Sequence, residues 1–296
     1  MYGNAPYDYT TWGGRDDLVR NIANMKGYGF DLDLHSRNIH GGRFSWNTDL
    51  YLSYNQSKTT KYYNQYGVNI VSLLSGGTFI TPLEGYPLYS IAAYKWGGLD
   101  GQGNPQGYLK GQLSTDYNAI AEEAGQTGAN LEYKGTASPT YFGSLINTFS
   151  WKQLSLSFNI NYKLGYQVRK PAIAYSQLIS NGIGNKEFAT RWQKPGDERT
   201  TNVPAFIYPV NGNRDAFYAG ATANIMPGDH IRLDYIRLAY TFSTATWKFP
   251  FRNLEVYTGL QNAGILWKAN HDDYDPDYTN IIPPGRQFTF GLRGSF

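Results

Sequence analysis

The chain carries the sequence LSLSFNINYKLGY at Leu154–Tyr166. Leu154, Leu156, Phe158, Ile160, Tyr162, Leu164 and Tyr166 are apolar or aromatic, while Ser155, Ser157, Asn159, Asn161, Lys163 and Gly165 between them are small or polar. Residues two apart share a face of an extended chain, so this alternation predicts a strand with one greasy side and one wet side. An ordinary globular strand runs to ~5–6 residues. A strand of about 12 residues at ~3.3 Å each spans ~40 Å, and a tilt of about 40° leaves a height of ~30 Å, the thickness of a membrane's apolar core.

The same pattern recurs along the chain. Phe30, Leu32 and Leu34 alternate with Asp31, Asp33, His35 and Arg37; Phe44, Trp46, Leu50, Leu52 and Tyr54 alternate with Ser45, Asn47, Asp49, Ser53 and Asn55. SPTYFGSLINTFSW from Ser138 predicts a strand of ambiguous phase, because Leu145 and Ile146 are adjacent. DHIRLDYIRLAYTFS from Asp229 changes phase between Tyr235 and Ile236, which predicts a bulge. NLEVYTGLQN from Asn253 and the final RQFTFGLRGSF complete seven strand candidates. The connections alternate in length: short at Ile39–Arg43 and Trp151–Gln153, moderate at Ser243–Arg252, long at Lys58–Thr136, Gln167–Gly228 and about Ala263–Gly285. Tight turns on one side and extended loops on the other are the plan of an outer-membrane barrel.

Composition agrees. Only 17% of the 296 residues are charged, 16% are aromatic, there are 26 Tyr and 33 Gly, and mean hydropathy is −0.49. No run approaches the ~18 apolar residues of a membrane helix. A net charge of +3, with basic and acidic residues interspersed, gives no footprint for nucleic acid. The absence of Cys excludes disulfides and thiolate metal sites. The opening MYGNAPYDYTTWGGRDD has neither a basic n-region nor an apolar h-region. Seven strands fall short of the ~8 of the smallest bacterial barrel. An open array in lipid would leave unpaired backbone groups at several kcal/mol each. The expected fold class is therefore all-β: an antiparallel transmembrane β-barrel segment with long extracellular loops, residues 1–296 forming the C-terminal portion of a larger barrel.

Six segments in series carry a resemblance: EGYPLYSIAAYKWGGLDGQGNPQGY (Glu84–Tyr108), SPTYFGSLINTFSWKQLSLSFNINYKLGY (Ser138–Tyr166), RWQKPGDE (Arg191–Glu198), DHIRLDYIRLAYTFS (Asp229–Ser243), YDPD (Tyr274–Asp277) and PPGRQFTFGLRGSF (Pro283–Phe296). Together they resemble the C-terminal region of SusC/RagA-type TonB-dependent outer-membrane transporters. The resemblance implies a 22-stranded, plugged barrel in the outer membrane of a Gram-negative bacterium. It further implies a SusD-like surface lipoprotein as lid, the TonB–ExbB–ExbD system acting through an N-terminal part absent here along with the plug, and oligosaccharide or peptide cargo. No enzymatic activity and no cofactor are implied. A passive porin-like or surface-adhesion barrel is the alternative, and a secreted carbohydrate-binding module or hydrolase the third reading.

Several residues are candidates for specific roles. Phe288, Phe290 and Phe296 on the terminal strand resemble the signal read by the barrel-assembly machinery, and they equally describe a strand facing outer-membrane lipid. Tyr86, Tyr89, Tyr94 and Trp96 in the first long loop, with Trp192 in the second, are candidates for contact with cargo or lid, because sugar rings stack on aromatic rings. Aromatic packing within the loops explains them as well. Asp272, Asp273, Asp275 and Asp277 form a weak calcium candidate that lacks the register of an EF-hand; no other metal site is expected. Asp31, Asp33, His35 and Arg37 read as charges lining a wet lumen rather than as acid–base machinery. GGLDGQGNPQG (Gly97–Gly107) reads as a turn cluster, and TDYNAIAEEAGQTG (Thr115–Gly128) as a short helix within its loop.

Overall fold

The structure, a computed structural model, describes residues 2–6, 17–63, 73–77, 80, 82–243, 253–279 and 281–295. Seven strands form one antiparallel sheet: β1 (Ala23–Gly41), β2 (Phe44–Tyr62), β3 (Tyr141–Trp151), β4 (Leu154–Leu164), β5 (His230–Ser243), β6 (Asn253–Lys268) and β7 (Gln287–Ser295). They pair strictly in sequence order, β1 to β7, and the sheet is not closed among the described residues. All seven sequence-derived candidates lie within it. The first two strands are longer than the alternation implied, at 19 residues each. The short turns are Gly42–Arg43 and Lys152–Gln153; the expected connection at Ser243–Arg252 lies, beyond Ser243 itself, outside the described residues.

Register assigns the faces. Directly paired residues point to the same side. Leu50 of β2 pairs with Leu145, Leu145 with Ile160, and Ile160 with Leu233, which gives an apolar row across four strands. Rows of Phe44, Trp151, Leu154 and Tyr240, and of Trp46, Phe149, Leu156 and Leu238, run parallel to it. Pairing also settles the ambiguous β3: Tyr141, Gly143, Leu145, Asn147, Phe149 and Trp151 share the apolar face, and Phe142, Ser144, Ile146, Thr148 and Ser150 the polar one.

The bulge in β5 lies one residue before its expected place. Asn159 and Ile160 of β4 oppose Tyr235 and Leu233, so Asp234 is the extra residue. Tyr235 consequently joins the polar face, opposite Asn159, while Ile231, Leu233, Ile236, Leu238 and Tyr240 keep the apolar one.

The apolar face carries one polar chain. Asn147 Oδ1 accepts from Trp46 Nε1 at 2.8 Å and Thr48 Oγ1 at 2.7 Å; Thr48 Oγ1 accepts from Asn38 Nδ2 at 2.6 Å; Asn38 Oδ1 accepts from Ser36 Oγ at 2.8 Å. The groups satisfy one another, as polar atoms on an apolar face require.

The chain divides into two compact units, one of which is Tyr28–Asn55, Pro139–Tyr166 and Gly228–Phe296, containing most of this sheet. The other is Met1–Gly27, Gln56–Ser138 and Gln167–Pro227. Its long connections are not slack loops. Ser90–Tyr94 pairs with Leu131–Thr136, Gln167–Arg169 with Ile225–Pro227, and the hairpin Gly107–Leu109/Gln112–Ser114 leads into α1 (Tyr117–Thr127). This helix is the one expected within Thr115–Gly128; Asp116 caps it through Ala119 N, and Gly128 ends it in the left-handed conformation. With α2 (Tyr175–Asn181) and α3 (Gly212–Gly220), these pieces enclose two aromatic cores, Tyr94, Tyr117, Ile120, Ala124 and Phe217 in one and Ile173, Tyr175, Val203 and Tyr218 in the other. Trp96 packs against both.

Candidate functional site

The polar face of the sheet is built from charges that find partners across strands. In β1 and β2, Asp49 Oδ1 lies 2.6 Å from His35 Nδ1, Asp33 Oδ1 lies 3.1 Å from His35 Nε2, and Asp31 accepts from Ser53 Oγ at 2.6 Å. In β5 and β6, Arg237 pairs with Glu255 at 2.5 Å and lies 4.8 Å from the centre of the Tyr257 ring. Two carboxylates around an imidazole could serve acid–base chemistry, but all three side chains are exposed to solvent.

The densest constellation forms at the ends of β4, β5 and β6 opposite the short turns. Lys163 of β4 sits directly opposite His230 of β5, and Arg232 opposite Asn161, which places three basic residues on the polar face. The β6–β7 connection folds onto them. Asp275 takes Arg232 Nη2 with both oxygens at 2.6 and 2.7 Å; Asp277 takes Lys163 Nζ at 2.7 Å and His230 Nε2 at 3.0 Å. Lys268 Nζ donates to the carbonyls of Asp272 and Tyr274. The connection is thus a strap held by charge-assisted hydrogen bonds. Burial alone would raise the Asp277 pKa, but hydrogen bonds from His230 and Lys163 outweigh it and hold the carboxyl well below its usual range. Asp229 closes the same corner by accepting Gly165 N–H at 2.7 Å and Tyr166 N–H at 3.2 Å, where the chain leaves β4 through Gly165 at a φ of 76°. The nearby Tyr166 phenol is pushed up by burial, with Asp277, Asp229 and Asp275 adding to the effect.

The calcium candidate falls on this strap. Asp275 and Asp277 direct their oxygens to Arg232, Lys163 and His230, hydrogen-bond donors standing where a metal would, and no group of three or more His, Cys, Asp or Glu positioned for a metal occurs among the described residues.

The aromatic candidates separate. Tyr94 is 7% exposed, inside a core of the second unit. Trp96 lies 6.4 Å from Phe217 and 5.9 Å from Tyr218, ring centre to ring centre. Trp192 covers Gly103, where an added Cβ would stand 2.5 Å from the indole, and it donates to Glu198 Oε2 at 3.0 Å. That bond, more than any other contact, lowers the Glu198 pKa. Tyr86 and Tyr89 retain 36% and 39% exposure, Tyr86 meeting Tyr133 edge-on at 4.4 Å. Phe288 and Phe290 on β7 are 70% and 81% exposed on the apolar face, and Phe296 lies outside the described residues.

The segments that carried the resemblance meet pairwise. RWQKPGDE holds its own turn, with Asp197 accepting from Gln193 and Lys194 N–H and Glu198 from Gly196 N–H, and it presents Trp192 to the Gly-rich turn. In that turn Asp100 accepts from Gln102 and Asn104 N–H, and Gly103 O accepts from Arg214 Nη2 at 3.0 Å. YDPD meets DHIR and the end of β4 in the strap. Sequence reasoning missed the strap because its partners are 43 to 114 residues apart. The one available cue was four carboxylates in seven residues in a chain otherwise poor in charge.

No family model matches the chain. Among curated proteins it is 24% identical to TonB-dependent receptor P26 of Formosa agariphila over 297 residues, covering 93% of this chain and 27% of the relative. It is 22% identical to TonB-dependent receptor P39 of the same organism, covering 95% and 30%. Its fold matches a structure of the RagAB peptide transporter (TM-score 0.69, 19% identity, 100% of this chain and 32% of the other). It also matches the RagAB peptide importer in an open-open state (TM-score 0.72, 20% identity, 100% and 31%). The chain spans about three-tenths of the length of the curated relatives it matches. Those relatives are receptors and transporters rather than enzymes. In sequence and in fold, the chain resembles the C-terminal barrel portion of a SusC/RagA-type TonB-dependent outer-membrane transporter.

Proposed function

We propose that this chain forms the C-terminal wall of a TonB-dependent outer-membrane importer. The seven strands cross the membrane, the short turns face the periplasm and the long connections face outward. One observation carries the reading: seven consecutive antiparallel strands with a predominantly apolar face on one side and cross-strand ion pairs on the other. Wall charges neutralised by neighbours let polar cargo pass without a strong fixed charge to trap it.

The folded unit made from the long connections presents Tyr86 and Tyr89 to cargo or to a surface lipoprotein of the SusD kind. Cargo is oligosaccharide in the leading reading. A peptide is the second, favoured by the likeness in fold to a peptide importer. Phe288, Phe290 and Phe296 serve insertion by the barrel-assembly machinery, and the TonB–ExbB–ExbD system drives transport without any chemistry on the cargo.

Fractionation and uptake test this together. The protein is expected in the outer membrane, extractable only with detergent, and deleting its gene should abolish uptake of either labelled oligosaccharides or labelled peptides in an energised cell. Recovery from the soluble fraction sinks the barrel reading. Uptake that persists when the proton gradient is collapsed favours the passive porin instead.

A further inference from the structure

The corner where the strap closes begins with a repulsion. Lys163 of β4, His230 of β5 and Lys268 of β6 are directly paired in one row across three strands, and Arg232 stands on the same face opposite Asn161. Like charges set opposite one another destabilise a sheet. Elsewhere on this face the strands neutralise themselves: Asp33 and Asp49 flank His35, and Glu255 takes Arg237. Here the neighbouring carboxylates turn to other partners. Asp229 accepts from the N–H groups of Gly165 and Tyr166, and Asp234 lies 3.5 Å from Asn159 Nδ2.

The acids instead come from outside the strands. The turn Asp275–Tyr278, closed by Tyr278 N–H to the Asp275 carbonyl at 3.0 Å, presents Asp275 to Arg232 and Asp277 to Lys163 and His230. The fit is incomplete. Both Asp275 oxygens crowd onto Arg232 Nη2, and Arg232 Nε is buried with no hydrogen bond. A guanidinium offers a carboxylate two parallel N–H groups, and a buried donor left unmade costs free energy. Lys268 Nζ receives the neutral carbonyls of Asp272 and Tyr274, where an ionised acceptor would bind more strongly. Strand register thus assembles a row of basic groups, and a tethered segment fills it imperfectly.

We propose that this row is a binding site for an acidic peptide with carboxylates two residues apart, and that the strap occupies it in the peptide's absence. Arg232 takes one carboxylate through Nε and Nη2, Lys163 and His230 take the other, and Lys268 a further negative group. The strap's own Asp275-Pro276-Asp277 is the pattern such a ligand carries. The inference rests on the importer reading and its peptide branch, under which the end of the sheet opposite the short turns faces arriving cargo.

The test uses the full chain extracted from its membrane in detergent, with the need for detergent recorded first. The probe is a labelled synthetic peptide of residues 271–277, HDDYDPD, compared with the same peptide carrying Asn for each of its four Asp. A tethered strap competes at an effective concentration of ~1 mM, so Asp275→Asn/Asp277→Asn should bind the acidic peptide at least ~10-fold more tightly than wild type does. Adding Lys163→Gln/Arg232→Gln to that variant should reverse the gain. In wild type, ~10 mM acidic peptide should raise hydrogen exchange over residues 269–279, and the Asn peptide should not. This second readout decides the matter should the double variant fail to fold. Equal binding by wild type and a folded double variant overturns the site, as does exchange that the acidic peptide leaves unchanged. An oligogalacturonate that displaces the strap at lower concentration than the peptide overturns the peptide as occupant. A protein soluble without detergent refutes the importer reading and the role of the peptide as cargo, while peptide binding still decides the site itself.

Discussion

Placing Arg at Leu145 should block stable membrane insertion, whereas placing it at the adjacent Ser144 should not. Leu145 lies in the apolar row Leu50–Leu145–Ile160–Leu233, and Ser144 faces the polar side opposite Asn161 and Tyr51. The exposed aromatics Trp151 and Tyr141 end β3 on the apolar face, and at ~3.3 Å per residue they stand ~33 Å apart along the strand, or ~25 Å across the membrane after a tilt of about 40°. That height matches the apolar band of an outer-membrane barrel. Leu145 is then ~15 Å from the Trp151 level and ~10 Å from the Tyr141 level, close to the middle. An Arg on the lipid face at that depth costs ~2–4 kcal/mol, a shift of ~30- to ~700-fold in the folding equilibrium. Ser144→Arg instead enters a polar wall with the Tyr51 ring beside it. The assay is reversible folding into phospholipid vesicles, followed by heat-modifiable gel mobility across a urea series. Equal destabilisation by the two variants would refute the facing assigned from register.

Two further outcomes follow from the same geometry. Asp277 has a folded pKa depressed below the ordinary carboxylate value near ~3.9, so the strap's stabilisation is complete above that value and is lost as pH falls below it toward the folded pKa. Asp277→Asn should remove most of that acid dependence and raise hydrogen exchange over residues 269–279 at neutral pH; unchanged exchange would mean the strap is held by packing alone. Gly143 leaves no room for a side chain, since a Cβ there would stand 1.9 Å from the Tyr51 carbonyl oxygen, which accepts Tyr162 Oη–H at 2.9 Å. Gly143→Ala should cost ~1–3 kcal/mol in the same urea series. Gly259→Ala, whose Cβ would meet nothing closer than 3.7 Å, should be nearly silent, and a reversed order would contradict the strand spacing.

Each strand was legible because a two-residue period needs only local information: alternation along β4, β6 and β7 names both faces without knowing the neighbours. The pattern failed where that information was insufficient. In β3, adjacent Leu145 and Ile146 are equally apolar, and only pairing with Leu50 and Ile160 sends one to the apolar face and the other to the polar face. In β5 the phase change was visible, but its position depended on which residue the partner strand left unmatched, and that was Asp234.

The long connections were legible only as long, with one helix in place. Their folding into a unit with two aromatic cores could not be read from either connection alone, since Tyr94 and Phe217 share a core across 123 residues of sequence. Trp96 and Trp192 drew attention as ring surfaces, yet whether such rings face cargo or fill a core depends on atoms far away in the chain. The acidic run at 272–277 showed the same limit. Its composition advertised charge, and the bonded register of β4 against β5 supplied Lys163, His230 and Arg232 to receive it. Local composition therefore dictated the two-faced strands, because side-chain alternation is a property of the local backbone. Which charges cancel, which rings are buried and where the strap closes were decided only by tertiary structure, because those energies arise between residues that only the fold brings within a few ångströms.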